Sequence, residues 1–187
     1  IGRTIDSLTS GFAIADAIQI DAPINRGNSG GPLFDADGRV IGINAQIEST
    51  SGTNEGVGFA IPIDLARRSL EQLLRTGKVR YAYIGVSTQD VTPGIARRFG
   101  LGAERGALVT RVEAGTPAAL AGIRGGSRTE AFNGLDVTLG GDLIVAIGGT
   151  KVEDADDVSR LVTTTLEPGQ TVTFTVLRGK QRMSIPV

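Results

Sequence analysis

Gly27-Asn28-Ser29-Gly30-Gly31-Pro32-Leu33 sets one serine among glycines directly ahead of a short apolar run. A chemical reason for such spacing exists. A tetrahedral oxyanion needs two backbone N–H donors aimed at one point, and glycine permits the tight turn that brings the Gly27 and Ser29 amides together. Glycine beside the hydroxyl also lets a substrate carbonyl approach without collision. Asn, Ser, Gly and Pro dominate ordinary turns as well, so the run taken alone reads either as a nucleophile loop or as a plain turn.

A serine hydroxyl is a poor nucleophile unless a base takes its proton. The 187 residues contain no histidine, and the lysines are Lys78, Lys151 and Lys180, all beyond the helix expected to close the first domain. A Ser-Lys dyad is therefore disfavoured, and the chain alone is expected to be inactive. With no Cys either, thiol nucleophiles, disulfides and thiolate or imidazole metal sites drop out, and no metal or cofactor is expected. Asp35-Ala36-Asp37-Gly38 resembles the start of a calcium loop, but Arg39 stands where an oxygen ligand is needed and Gln46 replaces the bidentate Glu, which leaves a hairpin turn. Gly100 to Gly106 misses the dinucleotide spacing.

Nineteen basic residues balance twenty acidic ones for a net charge of -1, so neither nucleic acid nor an anionic membrane is an expected partner. The apolar runs fall far short of the ~20 residues of a membrane span, and Ile1 opens no signal segment. Any targeting segment would lie outside these residues.

Scarce aromatics and 27 glycines suit short strands and many turns, a mainly β chain. Phe12 to Ile20, Pro32 to Phe34, Arg39 to Asn44 and Gly56 to Ile61 read as strands, with a polar stretch from Glu48 to Glu55. A helix follows, with Asp64 as its cap, Leu65, Ala66, Leu70, Leu73 and Leu74 at helical spacing, and Gly77 at its end. The domain boundary is placed there, giving 1–77 and 78–187. Beyond it come strands at Tyr83 to Ser87, Ala107 to Val112 and Leu143 to Ile147, and helices at Pro117 to Ala121 and Asp154 to Thr164. Val172, Phe174 and Val176 alternate with threonines before an Arg178-Gly179-Lys180 turn into Arg182 to Val187. Gly125 to Gly141 reads as a long inserted loop, more simply a solvated insertion than a regulatory element.

Asp16 to Arg26 leads into the serine motif, and Val40-Ile41-Gly42-Ile43-Asn44 and Gly56-Val57-Gly58-Phe59-Ala60-Ile61-Pro62 follow it. In that order and spacing the chain resembles the second barrel of the HtrA (Deg) family of trypsin-like serine proteases. The resemblance implies Ser29 as nucleophile, the Gly27 and Ser29 amides as oxyanion hole, and Ala45-Gln46-Ile47 as the strand that pairs with an extended substrate. Pro23 stands where enzymes selecting basic side chains carry aspartate, and Ile24 follows it, implying a pocket for small or medium apolar groups. Asn28 cannot form the ion pair by which zymogens capture a new amino terminus. The family's His and Asp would lie before Ile1, so the chain is expected to be half of a protease domain, as in a truncated form or a proteolytic fragment.

From Tyr81 onward the chain resembles the family's PDZ domain, a partly open β-sandwich with two helices. Gly106-Ala107-Leu108-Val109, Gly115-Thr116-Pro117-Ala118, Ala121-Gly122-Ile123, Gly141-Asp142-Leu143-Ile144 and Pro168-Gly169 recur in PDZ order. Tyr83-Ile84-Gly85-Val86 then corresponds to the loop whose amides capture a terminal carboxylate, with Leu161 and Val162 lining the apolar pocket beside it. The family implies an endopeptidase of protein quality control acting on unfolded polypeptides, its PDZ domain holding peptide carboxyl termini. It also implies a homotrimer when full-length and a cell-envelope location, periplasmic or extracellular, with a possible membrane anchor in the missing amino-terminal segment. The alternative is a non-catalytic PDZ peptide-binding scaffold, distinguished by whether a His and an Asp stand upstream.

Overall fold

The structure, a computed structural model, describes residues 3–6, 13–22, 24–25, 27–47 and 57–187. Two compact units are formed, Ile1–Arg80 and Tyr81–Val187. The mainly β expectation holds.

The first unit contains strands β1 (Arg3–Asp6), β2 (Ala13–Ile20), β3 (Pro32–Phe34), β4 (Val40–Ile47) and β5 (Gly58–Pro62), then helix α1 (Ile63–Thr76). The strands form one antiparallel sheet in the order β1-β2-β5-β4-β3. Ala17, Ile24, Phe59 and Ala60 are its buried apolar residues. Between β3 and β4, Asp35 organises the turn. Its Oδ1 accepts the Asp37 and Arg39 amides at 2.9 and 2.8 Å, and its Oδ2 accepts the Arg39 Nε at 2.9 Å. The Arg39 amide, then its guanidinium, holds the Asp35 carboxyl below its ordinary range. Arg39 thus takes the carboxylates a cation would need, and no metal-binding cluster occurs among the described residues.

Helix α1 differs from the sequence reading at its start. Pro62 occupies the cap position without a side-chain bond, and Asp64 sits inside the first turn, where it faces the positive end of the helix dipole. Gly77 closes the helix as expected, in the left-handed region at φ 69° with its amide on the Leu73 carbonyl.

The second unit runs β6 (Val86–Val91), α2 (Pro93–Phe99), β7 (Gly106–Val112), α3 (Pro117–Leu120), β8 (Arg128–Phe132), β9 (Leu135–Leu139), β10 (Leu143–Ile147), β11 (Thr150–Lys151), α4 (Ala155–Thr165), β12 (Thr173–Arg178) and β13 (Gln181–Pro186). Its main sheet has the order β13-β12-β10-β7-β6, with β11 on β10. Side chains alternate between its two faces. Ala107, Val109, Ile144, Phe174 and Val176 turn to one cluster with Val158, Leu161 and Val162 of α4. Leu108, Leu143 and Leu177 turn to a second cluster with Val91 and with Ile95 and Ala96 of α2.

Helix α2 and the short strand β11 are not expected from the sequence, and two further segments depart from its reading. Strand β6 begins at Val86, so Tyr83 to Gly85 is loop. Residues 125–141 hold a β-hairpin, β8 against β9, turned at Asn133-Gly134 with φ 51° and 79°. That pair of positive φ angles marks the turn type that suits the twist of a two-residue hairpin. Val137 and Leu139 are buried in the second cluster, and Phe132 meets Phe99 edge-on at 5.9 Å. The segment is therefore a wall of the core.

Candidate functional site

In the first unit the serine motif forms a looped turn braced against β4. Gly27 and Gly30 adopt φ 102° and 85°, a region that side chains rarely tolerate. The Gly30 amide donates to the Asn44 carbonyl at 2.8 Å, the Asn44 amide returns to the Gly31 carbonyl at 2.9 Å, and the Gly31 amide reaches the Asn28 carbonyl at 3.0 Å. A Cβ on Gly31 would come within 3.0 Å of that Asn28 oxygen, so glycine is required there by space. These bonds leave Ser29 exposed at the apex, its Oγ donating to the Ala45 carbonyl at 3.2 Å.

The amides of Asn28, Gly30 and Gly31 are engaged, while those of Gly27 and Ser29 find no acceptor among the described residues. Asn44 Oδ1 is buried nearby without a hydrogen-bond partner among the described residues. Strand β4 pairs with β3 only up to Ile43, so residues 45–47 have no strand partner on that edge among the described residues, while Gln46 and Ile47 pair with Phe59 and Gly58 on the other. Ile24 is 4% exposed and packs against Gly58, where any Cβ would meet its Cδ1 at 3.0 Å. Pro23, Arg26 and residues 48–56 lie outside the described residues.

In the second unit, the loop before β6 is fixed through its carbonyls. Ile84 accepts the Ala118 amide at 3.0 Å and Gly85 accepts the Glu113 amide at 2.9 Å. The Ile84 and Gly85 amides find no acceptor among the described residues. Gly85 has φ 79°, and a Cβ on it would lie 2.4 Å from the Thr116 side chain, which is itself held by a 2.6 Å bond from its Oγ1 to the Glu113 carbonyl. Loop, Thr116 and the end of β7 therefore lock one another.

Strand β6 is an edge strand of the main sheet. Ile84, Val86, Leu161 and Val162 belong to one apolar cluster on the face covered by α4. Asp90 Oδ1 accepts the Ala155 amide at 2.8 Å, tying the start of α4 to this edge, and Asp154 caps the same helix by accepting the Asp157 amide at 2.9 Å. The sequence reading missed Asp90, Glu113 and Thr116. Thr116 lies in the Gly115-Thr116-Pro117 run, but nothing local signals that it packs against Gly85, far earlier in the chain.

Chemically, each unit offers two backbone donors without an acceptor among the described residues, one pair beside a hydroxyl and one beside an edge strand and an apolar cluster. Such donors suit an oxyanion or a carboxylate.

The description "PDZ domain" matches residues 82–187, and "Trypsin-like peptidase domain" matches residues 3–43. A probable periplasmic serine endoprotease, DegP-like, of Brucella suis biovar 1 (strain 1330) is 42% identical over 172 residues, 92% of this chain and 30% of that relative. A solved HtrA-type protease, AlgW with tripeptide, superposes with TM-score 0.73 at 35% identity, covering 100% of this chain and 56% of that one. AlgW with decapeptide gives TM-score 0.69 at 36% identity, covering 99% and 51%. The chain spans about 30% of the length of the curated relative it matches. A PDZ domain over residues 82–187, a trypsin-like segment ahead of it and these relatives place the chain in the HtrA, or DegP-like, family of PDZ-bearing trypsin-like serine proteases.

Proposed function

We propose that these residues are the nucleophile-bearing part and the PDZ domain of a cell-envelope endopeptidase that degrades unfolded polypeptides. The observation that carries this reading is the Ser29 turn, with an exposed hydroxyl beside the Gly27 and Ser29 amides, which have no acceptor among the described residues. Ser29 Oγ would add to the scissile carbonyl carbon while a base takes its proton. The oxyanion would sit on the two amides, the C–N bond would break with the proton passing to the leaving amine, and water would release the acyl group. Each such oxyanion donor contributes about 10²–10³ in rate. Substrate would add as a strand along Ala45-Gln46-Ile47 and place an apolar side chain toward Ile24.

No histidine exists in the sequence, so the base must come from other residues, and the 187-residue chain alone is inactive. Residues 1–77 form the peptidase part and 78–187 the peptide-binding part, which holds carboxyl termini on the Ile84 and Gly85 amides with the last side chain toward Leu161 and Val162. A periplasmic location accords with the relatives' naming, and the reading includes a homotrimer of the full-length protein. The rival reading, a PDZ scaffold without catalysis, is favoured by the same missing histidine.

A serine-directed fluorophosphonate separates the two when applied to the longest natural gene product and to this chain. Labelling of Ser29 in the longer protein alone supports the peptidase. A longer protein that binds carboxyl-terminal peptides yet stays unlabelled leaves the scaffold.

A further inference from the structure

Beside the loop before β6 lies a polar depression of about 130 Å³ lined by Tyr83, Gly85, Val86, Ser87, Arg111 and Glu113. Its place follows from strand register. Val86 pairs with Val112, and both pack on the cluster under α4. Ser87 pairs with Arg111, and both are exposed, so they belong to the opposite face. The Glu113 carboxylate is already engaged, accepting the Tyr83 hydroxyl at 2.5 Å. Arg111 forms no ion pair among the described residues. The depression therefore presents one guanidinium without an ion pair among the described residues, beside a carboxylate that accepts the Tyr83 hydroxyl.

A peptide added to the β6 edge alternates its side chains between the two faces. If the last residue turns toward Leu161 and Val162, the penultimate one turns toward Ser87. Arg111 stands one strand further, about 10 Å from the ligand backbone at the usual strand spacing, a gap that an arginine and an acidic side chain together span. We propose that Arg111 selects an acidic penultimate residue in the bound carboxyl terminus, and that Tyr83 positions this preference by keeping Glu113 away from the guanidinium. This inference rests on the reading of Ile84 to Val86 as a carboxylate-binding loop.

The test uses fluorescein-labelled heptapeptides identical except for a carboxyl-terminal Glu-Val, Ala-Val or Lys-Val, each as free acid and as amide, titrated into the 187-residue chain by anisotropy. The free acid ending in Glu-Val binds about threefold more tightly than that ending in Ala-Val, as one exposed ion pair allows, and the Lys-Val peptide binds least. Arg111→Ala collapses the Glu-to-Ala ratio to one, and Glu113→Gln raises the Glu-to-Lys ratio. Misfolding of a variant would weaken all peptides alike and leave the ratios unchanged. A flat series in the unaltered chain, or ratios untouched by Arg111→Ala, overturns the inference while the loop reading stands. Free acids that bind no better than their amides overturn the loop reading and the inference with it.

Discussion

Ser29 Oγ donates to the carbonyl oxygen of Ala45 across 3.2 Å, linking the exposed turn to the second residue of β4 beyond its pairing with β3. The bond gives the hydroxyl proton to a neutral carbonyl, which cannot remove it, so the serine is held in place without being activated. It also occupies a carbonyl that an incoming substrate strand would need. An exposed neutral hydrogen bond contributes little to stability, because water replaces it well. Ser29→Ala should therefore cost less than about 1 kcal/mol, read from hydrogen exchange of the β4 and β5 amides. A much larger loss would show the serine to be a structural brace, which would count against the peptidase reading.

Gly85 is confined twice, by φ 79° and by the Thr116 side chain 2.4 Å from where a Cβ would stand. Gly85→Ala therefore strains the backbone by about 1–2 kcal/mol and displaces Thr116 from the Glu113 carbonyl. Tyr81 and Tyr83 are the two tyrosines of the chain, and both lie in the second unit, so urea unfolding followed by tyrosine fluorescence reports on that unit. The expected outcome is a lower midpoint together with loss of carboxyl-terminal peptide binding. Thr116→Ser removes the methyl while keeping the hydroxyl, and in the Gly85→Ala background it should recover part of both. No recovery would mean that the backbone angle, not the contact with Thr116, sets the loop.

Asp142 is fully buried and takes three donors, the Arg124 amide at 2.9 Å and the Arg178 Nε and Nη2 at 2.8 Å each. Arg178 Nη2 also reaches the Gly122 carbonyl at 2.8 Å. This two-pronged contact fastens β12 to the turn after α3. Removing the guanidinium leaves a buried carboxylate without its countercharge, so Arg178→Ala should cost about 3–5 kcal/mol. Arg178→Lys should recover only part, since one ammonium cannot reproduce the fork. The same tyrosine-monitored unfolding checks both, and an Arg178→Ala variant within about 1 kcal/mol of the parent would contradict the assignment.

The parts of the fold legible in the sequence were those written in local periodicity and punctuation. The alternation around Phe174 and Val176, the Asp37-Gly38 turn and the Gly77 stop of α1 each sit within a few residues of their cause. Helix α2 carries equally local marks, Thr92 accepting the Ile95 amide at 3.3 Å, Pro93 at its first turn and Gly100 at its end, but it is only seven residues long. What stayed hidden depends on partners distant in the chain. Gly85 reads as a residue that lets a ligand approach, whereas Thr116 and Glu113 also dictate it. Asp64 has the composition of a cap, but the chain enters α1 from β5 through Pro62, leaving Asp64 one step inside. The tight turn at Ser29 could be inferred from Gly27 and Gly30, while the carbonyl that receives the hydroxyl could not.

The hairpin at residues 128–139 gives the sharpest contrast between an insertion and a core element. Asn133-Gly134 between alternating apolar residues is a strong short-range hairpin signal, masked here by the surrounding Gly, Ser and Thr. Val137 is 0% exposed and packs with Leu108, Leu143 and Val91, so a solvated loop and a structural wall predict different outcomes for one substitution. Val137→Ala should cost about 1.5–3 kcal/mol if the side chain is fully withdrawn from water, and nothing measurable if the segment is a tolerated loop. Thr129→Ala, on the exposed strand β8, serves as the control and should change stability by less than about 0.5 kcal/mol. The Thr138 amide donates to Gln89 Oε1 at 2.9 Å, which ties the hairpin to β6 itself. Loss of Val137 should therefore loosen β6 as well, seen as faster hydrogen exchange at Thr88 to Asp90, and unchanged exchange there would mean that the hairpin does not support the ligand-facing edge.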